Sequence, residues 1–229
     1  MSEPIIDYEP GVLRVFQSKD ETKSFYDKIA SVYDLLSELS ERPMREAGLK
    51  QLAAAPGETM LEIGCGTGHC LVELAHAVGS QGNVLGVDIS EKMLDETRKV
   101  LAQEKLVEQV ELHCCDAAQL PFADGTLDGI FTSFTLELFD TPELPHVLAE
   151  WRRVLKPGGR LVVVAISKEG PQGLVLSAFE WTHRHFPNLM DCRPIYVRRA
   201  LEAAGFFIDS LSVETMWVPV EIVRGVKPC

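Results

Sequence analysis

The sequence has no stretch approaching the roughly 20 consecutive apolar residues of a membrane-spanning helix, so no span is expected. Its first residues, Met1-Ser2-Glu3-Pro4, carry neither a basic region nor a long apolar run, and no secretory leader is expected. Positive charge is scarce: 22 Lys and Arg face 34 Asp and Glu, for a net charge of -12. A surface this acidic repels phosphate backbones and anionic lipid, which excludes nucleic acid and such membranes as partners. Six cysteines occur without one C-x-x-C pair, and Cys114 and Cys115 are adjacent. That pattern is neither a disulfide framework nor a zinc site, and the expectation is reduced thiols, no bound metal and a cytoplasmic protein. What is present is globular: 229 residues, 46% hydrophobic and 24% charged, enough for one α/β domain with embellishments. No internal repeat or low-complexity tract is visible. The assembly is expected to be a monomer or a homodimer.

Residues 1–20 read as irregular. From Glu21, Phe25, Ile29, Val32, Leu35, Leu36 and Leu39 recur at helical spacing. Tyr26 and Tyr33 lie seven apart and share one stripe, either packing the helix onto a sheet or closing over a ligand. A second helix, Arg42 to Ala54, should end before Pro56-Gly57. Residues 1–55 are thus a helical lid segment preceding a domain at 56–229.

Strands and helices then alternate. Strands are predicted at 59–63, 84–88, 110–115 and within 127–134. Helices are predicted at 69–78, after the N-cap Ser90, and at 142–155. Lys156-Pro157-Gly158-Gly159 should stop the last of these. The uninterrupted apolar run Leu161–Ile166 marks a strand buried on both faces of a parallel sheet. After an insertion at about 168–196 with a helix over 174–186, Pro194 suits the first turn of a helix over 195–204. Two final strands, 206–213 and 216–226, are close enough to pair antiparallel. The whole predicts a Rossmann-like, doubly wound α/β sheet of seven mostly parallel strands, with an antiparallel terminal strand and an N-terminal helical lid.

Within that pattern, Met60-Leu61-Glu62-Ile63-Gly64-Cys65-Gly66-Thr67-Gly68-His69 joins a strand to a helix through three glycines in five positions. Such turns bind nucleotides in parallel sheets. His69 stands where the last glycine of a G-x-G-x-x-G fingerprint would be, which counts against NAD or FAD and a nicotinamide-dependent oxidoreductase. Glu62 at the loop's start and Asp88 at the end of the next strand call for a ligand with ribose hydroxyls and an amino-acid ammonium but no phosphate. S-adenosylmethionine (SAM) fits that description.

These residues also carry a resemblance. E-I-G-C-G-T-G at 62–68, Asp88, D-A at 116–117, L-P-F-x-D-x-x-x-D at 120–128 and L-K-P-G-G-R-L at 155–161 resemble the class I SAM-dependent methyltransferases. Residues 26–34, Tyr-Asp-Lys-Ile-Ala-Ser-Val-Tyr-Asp, resemble the start of the ubiquinone/menaquinone-biosynthesis C-methyltransferase branch. The resemblance implies methyl transfer from SAM to a small-molecule acceptor. It implies that the loop with Gly64, Cys65, Gly66 and Gly68 passes under the methionine moiety and that Asp88 takes the ribose hydroxyls. Ile89 and Met93 would pack on adenine, Asp116 and the Ala117 N–H would bond its edge, and Ser133 would lie near the methionine end. Ser133 is alternatively a strand-end serine bonding its own backbone. Tyr26 and Tyr33 match aromatic positions that help close the pocket. A protein of this fold that only binds cofactor or a partner is the remaining alternative.

No residue declares itself the catalytic base. Where the branch carries a basic residue beside its quinol, this chain has Glu137 in Phe134-Thr135-Leu136-Glu137-Leu138-Phe139. Glu137 is either an acidic group beside the acceptor or a surface residue starting the next turn. His183 and His185 in the insertion are the other weak candidates, and each is otherwise structural or exposed. The apolar residues of that insertion suit a lipophilic acceptor or a core helix.

Overall fold

The structure, a computed structural model, describes residues 11–15, 17–169, 174–185 and 192–229; the side chains of 31–39, 174, 175 and 184 lie outside the described residues. The chain runs α1 (Lys19–Leu52), β1 (Thr59–Ile63), α2 (His69–Val78), β2 (Asn83–Asp88), α3 (Glu91–Glu104), β3 (Val110–Cys114), β4 (Leu127–Ser133), α4 (Leu144–Val154), β5 (Leu155–Ile166), α5 (Leu174–His185), α6 (Val197–Ala203), β6 (Phe207–Thr215) and β7 (Pro219–Val226). The seven strands form one sheet in the order β3-β2-β1-β4-β5-β7-β6. β1 to β5 are parallel, and β7 runs antiparallel to both of its neighbours. The strand order reverses between β1 and β4, and ligands bind at such a switch point, outside the strands' C-terminal ends.

The alternation of β5 explains the unbroken apolar run. Val162, Val164 and Ile166 face one core with Leu71, Leu74 and Phe131, while Leu161, Val163 and Ala165 face another with Leu148, Trp151 and Leu201. Both faces are covered by helices, so no position on the strand can be polar without cost.

Three local expectations are corrected. α1 is one helix of 34 residues that continues through Pro43, where two helices were expected. A proline inside a helix forfeits a hydrogen bond and costs about 3 kcal/mol. Here Met44 and Leu52 beyond it are buried against the sheet, and burial of that half holds the helix straight through. α1 begins at a full capping box, in which the Ser18 hydroxyl accepts from the Glu21 N–H and Glu21 accepts from the Ser18 N–H. β5 starts at Leu155, before the Lys-Pro-Gly-Gly segment, because Leu155 pairs with Leu127 and the four following residues form an irregularity before Arg160 pairs with Gly129. α6 starts at Val197, not at Pro194: Ile195 is held beside Ser167 as an isolated bridge that prolongs the β5 edge.

Candidate cofactor site

The glycine loop is fixed from below. The Gly64 and Cys65 N–H groups both donate to the Val87 carbonyl, at 2.8 and 3.1 Å. Gly64, Gly66 and Gly68 all have left-handed φ, of +68°, +52° and +88°. At Gly64 a β-carbon would come within 2.2 Å of Thr135 Oγ1, so glycine is demanded twice, by conformation and by the approach of the chain after β4. At Gly66 the corresponding position is open space, so no side chain stands between the loop and a ligand.

Asp88 ties this loop to the next helix. Its Oδ2 accepts from the Gly66 N–H and its Oδ1 from the Ser90 N–H, both at 2.9 Å. Burial pushes its pKa up to about 6, with those amides working against the rise. Ser90 caps α3 by accepting from the Met93 N–H and donates its own hydroxyl to Asp27 Oδ1 at 2.6 Å, which binds α1 to the cofactor side. Thr97 closes the arrangement from α3 by donating to the Gly66 carbonyl.

Above the loop lies a cavity of about 460 Å³. Tyr26, Gly64, Gly66, Asp88, Ile89, Met93, Asp116, Ala117 and Ser133 line it, which brings together nine of the residues singled out from the sequence. Asp116 sits where the end of β3 meets the pocket; its Oδ1 accepts from the Ala118 N–H at 2.9 Å and its Oδ2 from Lys19 Nζ at 2.5 Å. Glu62 and Cys65 lie off this cavity, against a small annex beneath the loop. Gly68 lines neither space and stands at the N-cap of α2. The side chain of Tyr33 lies outside the described residues.

The weak catalytic candidates are elsewhere. Glu137 is not a surface residue: it is fully buried in the short 3₁₀ turn Leu136–Leu138, where Oε1 accepts from the Ile166 N–H at 3.3 Å and Oε2 has no hydrogen-bond partner. The chain enters that turn through Phe134, whose φ of +51° is rare for a bulky residue and swings the chain away from β4. His183 is buried with Nε2 3.4 Å from the Arg14 carbonyl oxygen, and His185 is exposed and stacked on Trp181. Neither lines the cavity. In α5, Leu176 and Phe179 belong to the core.

Burial pushes the Glu137 pKa up to about 8, with the nearby Glu41 adding to the rise and Arg193 opposing it. The folded protein therefore holds a proton that the unfolded chain releases, and stability falls as pH climbs from the ordinary 4.5 through 8. Glu137→Gln mimics the protonated form. Its Tm is expected to exceed that of the wild type by roughly 5 °C at pH 9, equivalent to about 2 kcal/mol, with the gap closing by pH 5. A gap of equal size at both pH values in differential scanning calorimetry contradicts the burial argument.

Sequence reading missed the strap before α1. Arg14, Val15 and Gln17 line the cavity, followed by Lys19 and Thr22 of the first turn of α1. Arg14 makes a bidentate pair with Asp140, at 2.8 to 2.9 Å from Nε and 2.6 Å from Nη2, and the Val15 N–H donates to the same carboxylate. The segment has no periodicity to announce it; the one available signal was Ser18 followed by Glu21, a capping box that fixes where the strap ends.

The residues present suit SAM. The nucleotide end has the buried carboxylate of Asp88 and the half-buried one of Asp116, and Gly66 leaves the ligand's approach open. Sequence comparison agrees. Residues 60–159 match the methyltransferase domain family. The demethylmenaquinone methyltransferase of Desulfitobacterium hafniense (strain Y51) is 35% identical over 164 residues, covering 69% of this chain and 64% of that one. The protein of the same name from Bacillus cereus (strain ATCC 10987 / NRS 248) is 35% identical over 157 residues, 66% of this chain and 65% of its own. The chain thus spans just under two thirds of the length of these curated relatives. Among solved structures, a SAM-dependent methyltransferase from Aquifex aeolicus superposes with a TM-score of 0.62 at 25% identity, over 84% of this chain and 97% of that one. The [4+2]-cyclase SpnF superposes with a TM-score of 0.76 at 17% identity over 95% and 98%, a likeness of fold alone.

The matched domain, the strand order and the superposition make the chain similar to the class I SAM-dependent methyltransferases. Its sequence relatives lie in the menaquinone-related branch of that class.

Proposed function

We propose that the protein transfers the methyl group of SAM to a small lipophilic acceptor bound in the same cavity. The observation that carries this reading is the cavity's mixed lining, the glycine loop with Asp88 and Asp116 together with the apolar side chains of Phe134, Leu138, Phe139 and Val15. SAM supplies an activated sulfonium methyl, and the chain's task is to align an acceptor with it and exclude water. In this reading Asp88 takes the ribose hydroxyls, Asp116 and the Ala117 amide read the adenine edge, and Ile89 and Met93 pack on its faces. The segment before residue 56 serves as a lid, since six of its residues line the cavity.

The acceptor is quinol-like or another apolar ring with an activated carbon or hydroxyl. The names of the sequence relatives support this, as does the apolar wall. Glu137, at the position where the branch carries a basic residue, lies outside the cavity, so it makes no case for a cationic acceptor. Positive groups on the cavity come instead from Arg14 in the strap and Lys19 at the start of α1. Among the described residues no helix is long and apolar enough to cross a membrane.

The test is transfer of a labelled methyl from SAM across a panel of quinols, phenols, amines and lipid head groups. Product with the quinol or phenol members supports the proposal. Protein that binds SAM and labels nothing in the panel replaces it with cofactor binding without this catalysis.

A further inference from the structure

The sheet has two edge strands, and they differ. β3 is five residues long, and its exposed positions are Glu111 and Cys114. β6 is nine residues long and has no lysine, arginine or proline, the residues that blunt an edge against a further strand. Its Phe207, Leu211 and Val213 are 66%, 45% and 55% exposed, three of the six large apolar side chains exposed among the described residues. One irregularity between Ile208 and Ser210 leaves residues 210–215 as the regular stretch. A long apolar edge strand, with its outward amides and carbonyls unpaired, is a template for another strand.

The strand is complementary to itself in one register. Identical antiparallel strands pair residues of the same face, so their two-fold axis passes through a residue and not between two. An axis at Glu214 sets two carboxylates opposite each other. An axis at Leu211 faces Val213 with the irregularity at Asp209, and an axis at Val213 faces Leu211 with Thr215. Only an axis at Ser212 matches the apolar row, placing Leu211 against Val213 of the partner subunit on both sides. The same axis places Glu214 of the partner subunit opposite Ser210, which pairs with Arg224 on β7. Arg224, the small Ser210 and the partner's Glu214 then form one row, and two strand spacings, about 10 Å, lie within the combined reach of the two charged side chains. Arg224 Nε has no hydrogen-bond partner, with the Asp209 carboxylate 3.5 Å away. On the same face Gln51 Nε2 donates to Ser212 Oγ at 2.9 Å, while the buried Gln51 Oε1 has no partner. The axis at Ser212 brings a second hydroxyl to that amide.

We propose that β6 pairs antiparallel with β6 of a second copy of this chain about a two-fold axis at Ser212, joining two sheets into one, with Arg224 and Glu214 paired across the interface. The occupant is a second copy because the apolar row and the charged row are both matched by the strand's own sequence. The cavity lies at the ends of β1 and β4, away from this edge, so each copy keeps its own site.

Sedimentation velocity tests it. Wild-type protein at about 50 μM is expected to sediment as a dimer of twice 25.4 kDa, with a Kd on the order of micromolar. Leu211→Glu buries a carboxylate against the partner's Val213 at two symmetric positions and is expected to weaken the dimer by about 100-fold, tenfold at each. Glu214→Arg and Arg224→Glu each create like-charged rows and are expected to weaken it by about 10-fold, and mixing the two variants restores both rows and the wild-type affinity. Should Arg224→Glu fail to fold, the exposed positions Leu211 and Glu214 carry the comparison. A wild-type monomer at that concentration overturns the proposal, as does a dimer that Leu211→Glu and Glu214→Arg leave unchanged. Two folded charge variants that fail to associate on mixing overturn the axis at Ser212.

Discussion

Asp88→Ala is expected to lower affinity for S-adenosylhomocysteine at least 100-fold, about 2.7 kcal/mol, by titration calorimetry. Two losses contribute. On the proposed contact, the carboxylate receives both ribose hydroxyls, and hydrogen bonds to a charged acceptor are worth about 1.5–3 kcal/mol each. Independently, the same carboxylate holds the Gly66 and Ser90 N–H groups, one at the glycine loop and one at the start of α3. Alanine leaves both amides without their acceptor and frees the loop from its helix. A fall in Tm should therefore accompany the fall in affinity. Asp88→Asn separates the two losses. Its single carbonyl oxygen can serve one amide but not both, so Tm is expected to recover in part while affinity stays low. Affinity within a few-fold of wild type for Asp88→Ala contradicts the assignment of the ribose to this residue.

Arg160→Met is expected to lower Tm by roughly 10 °C, about 3 kcal/mol or more, without a specific loss of ligand affinity in the protein that remains folded. Arg160 is buried at the start of the long apolar part of β5. It pairs with both oxygens of Glu58, at 2.8 and 2.6 Å, and donates to the Leu52 and Ala53 carbonyls at 2.6 and 2.9 Å. Those carbonyls close the C-terminal end of α1, which has no further turn of helix to satisfy them. The arginine holds Glu58 below the usual carboxylate range. Methionine of similar length would leave two helix carbonyls without this donor and a half-buried glutamate with only the Ala55 N–H, which is the costly way to break a largely buried cluster. A Tm change of 2 °C or less by calorimetry contradicts the role given to this cluster.

The parts of the fold legible in the sequence were those governed by local pattern. β1 and α2 fall where alternation, helical spacing and the glycines put them, because each buries a face against its immediate neighbours. The antiparallel β7 was legible from two strands separated by a short turn. The single long α1 was not: Pro43 is a strong local signal for a break, and only packing of the following turns on the sheet overrides it. The start of α6 was misread for the same reason, since the bridge between Ser167 and Ile195 joins residues far apart in the chain.

The site divides along the same line. Asp88, Asp116 and the loop glycines stand at strand ends, where position in the sequence fixes position in space, and the cavity collects them. Glu137 looked exposed because it follows a strand in a short polar-flanked segment; the left-handed turn at Phe134 sends it inward. Arg14 and Lys19 reach the site from a strap and from the start of a helix whose path across the sheet no local pattern encodes.

The central claim is that the space above the glycine loop is a SAM site. Titration of SAM into the folded wild-type protein tests it most directly. One ligand per chain, with a Kd on the order of micromolar, is the predicted result, together with competition by S-adenosylhomocysteine. Folded protein that gives no binding heat with millimolar SAM contradicts it.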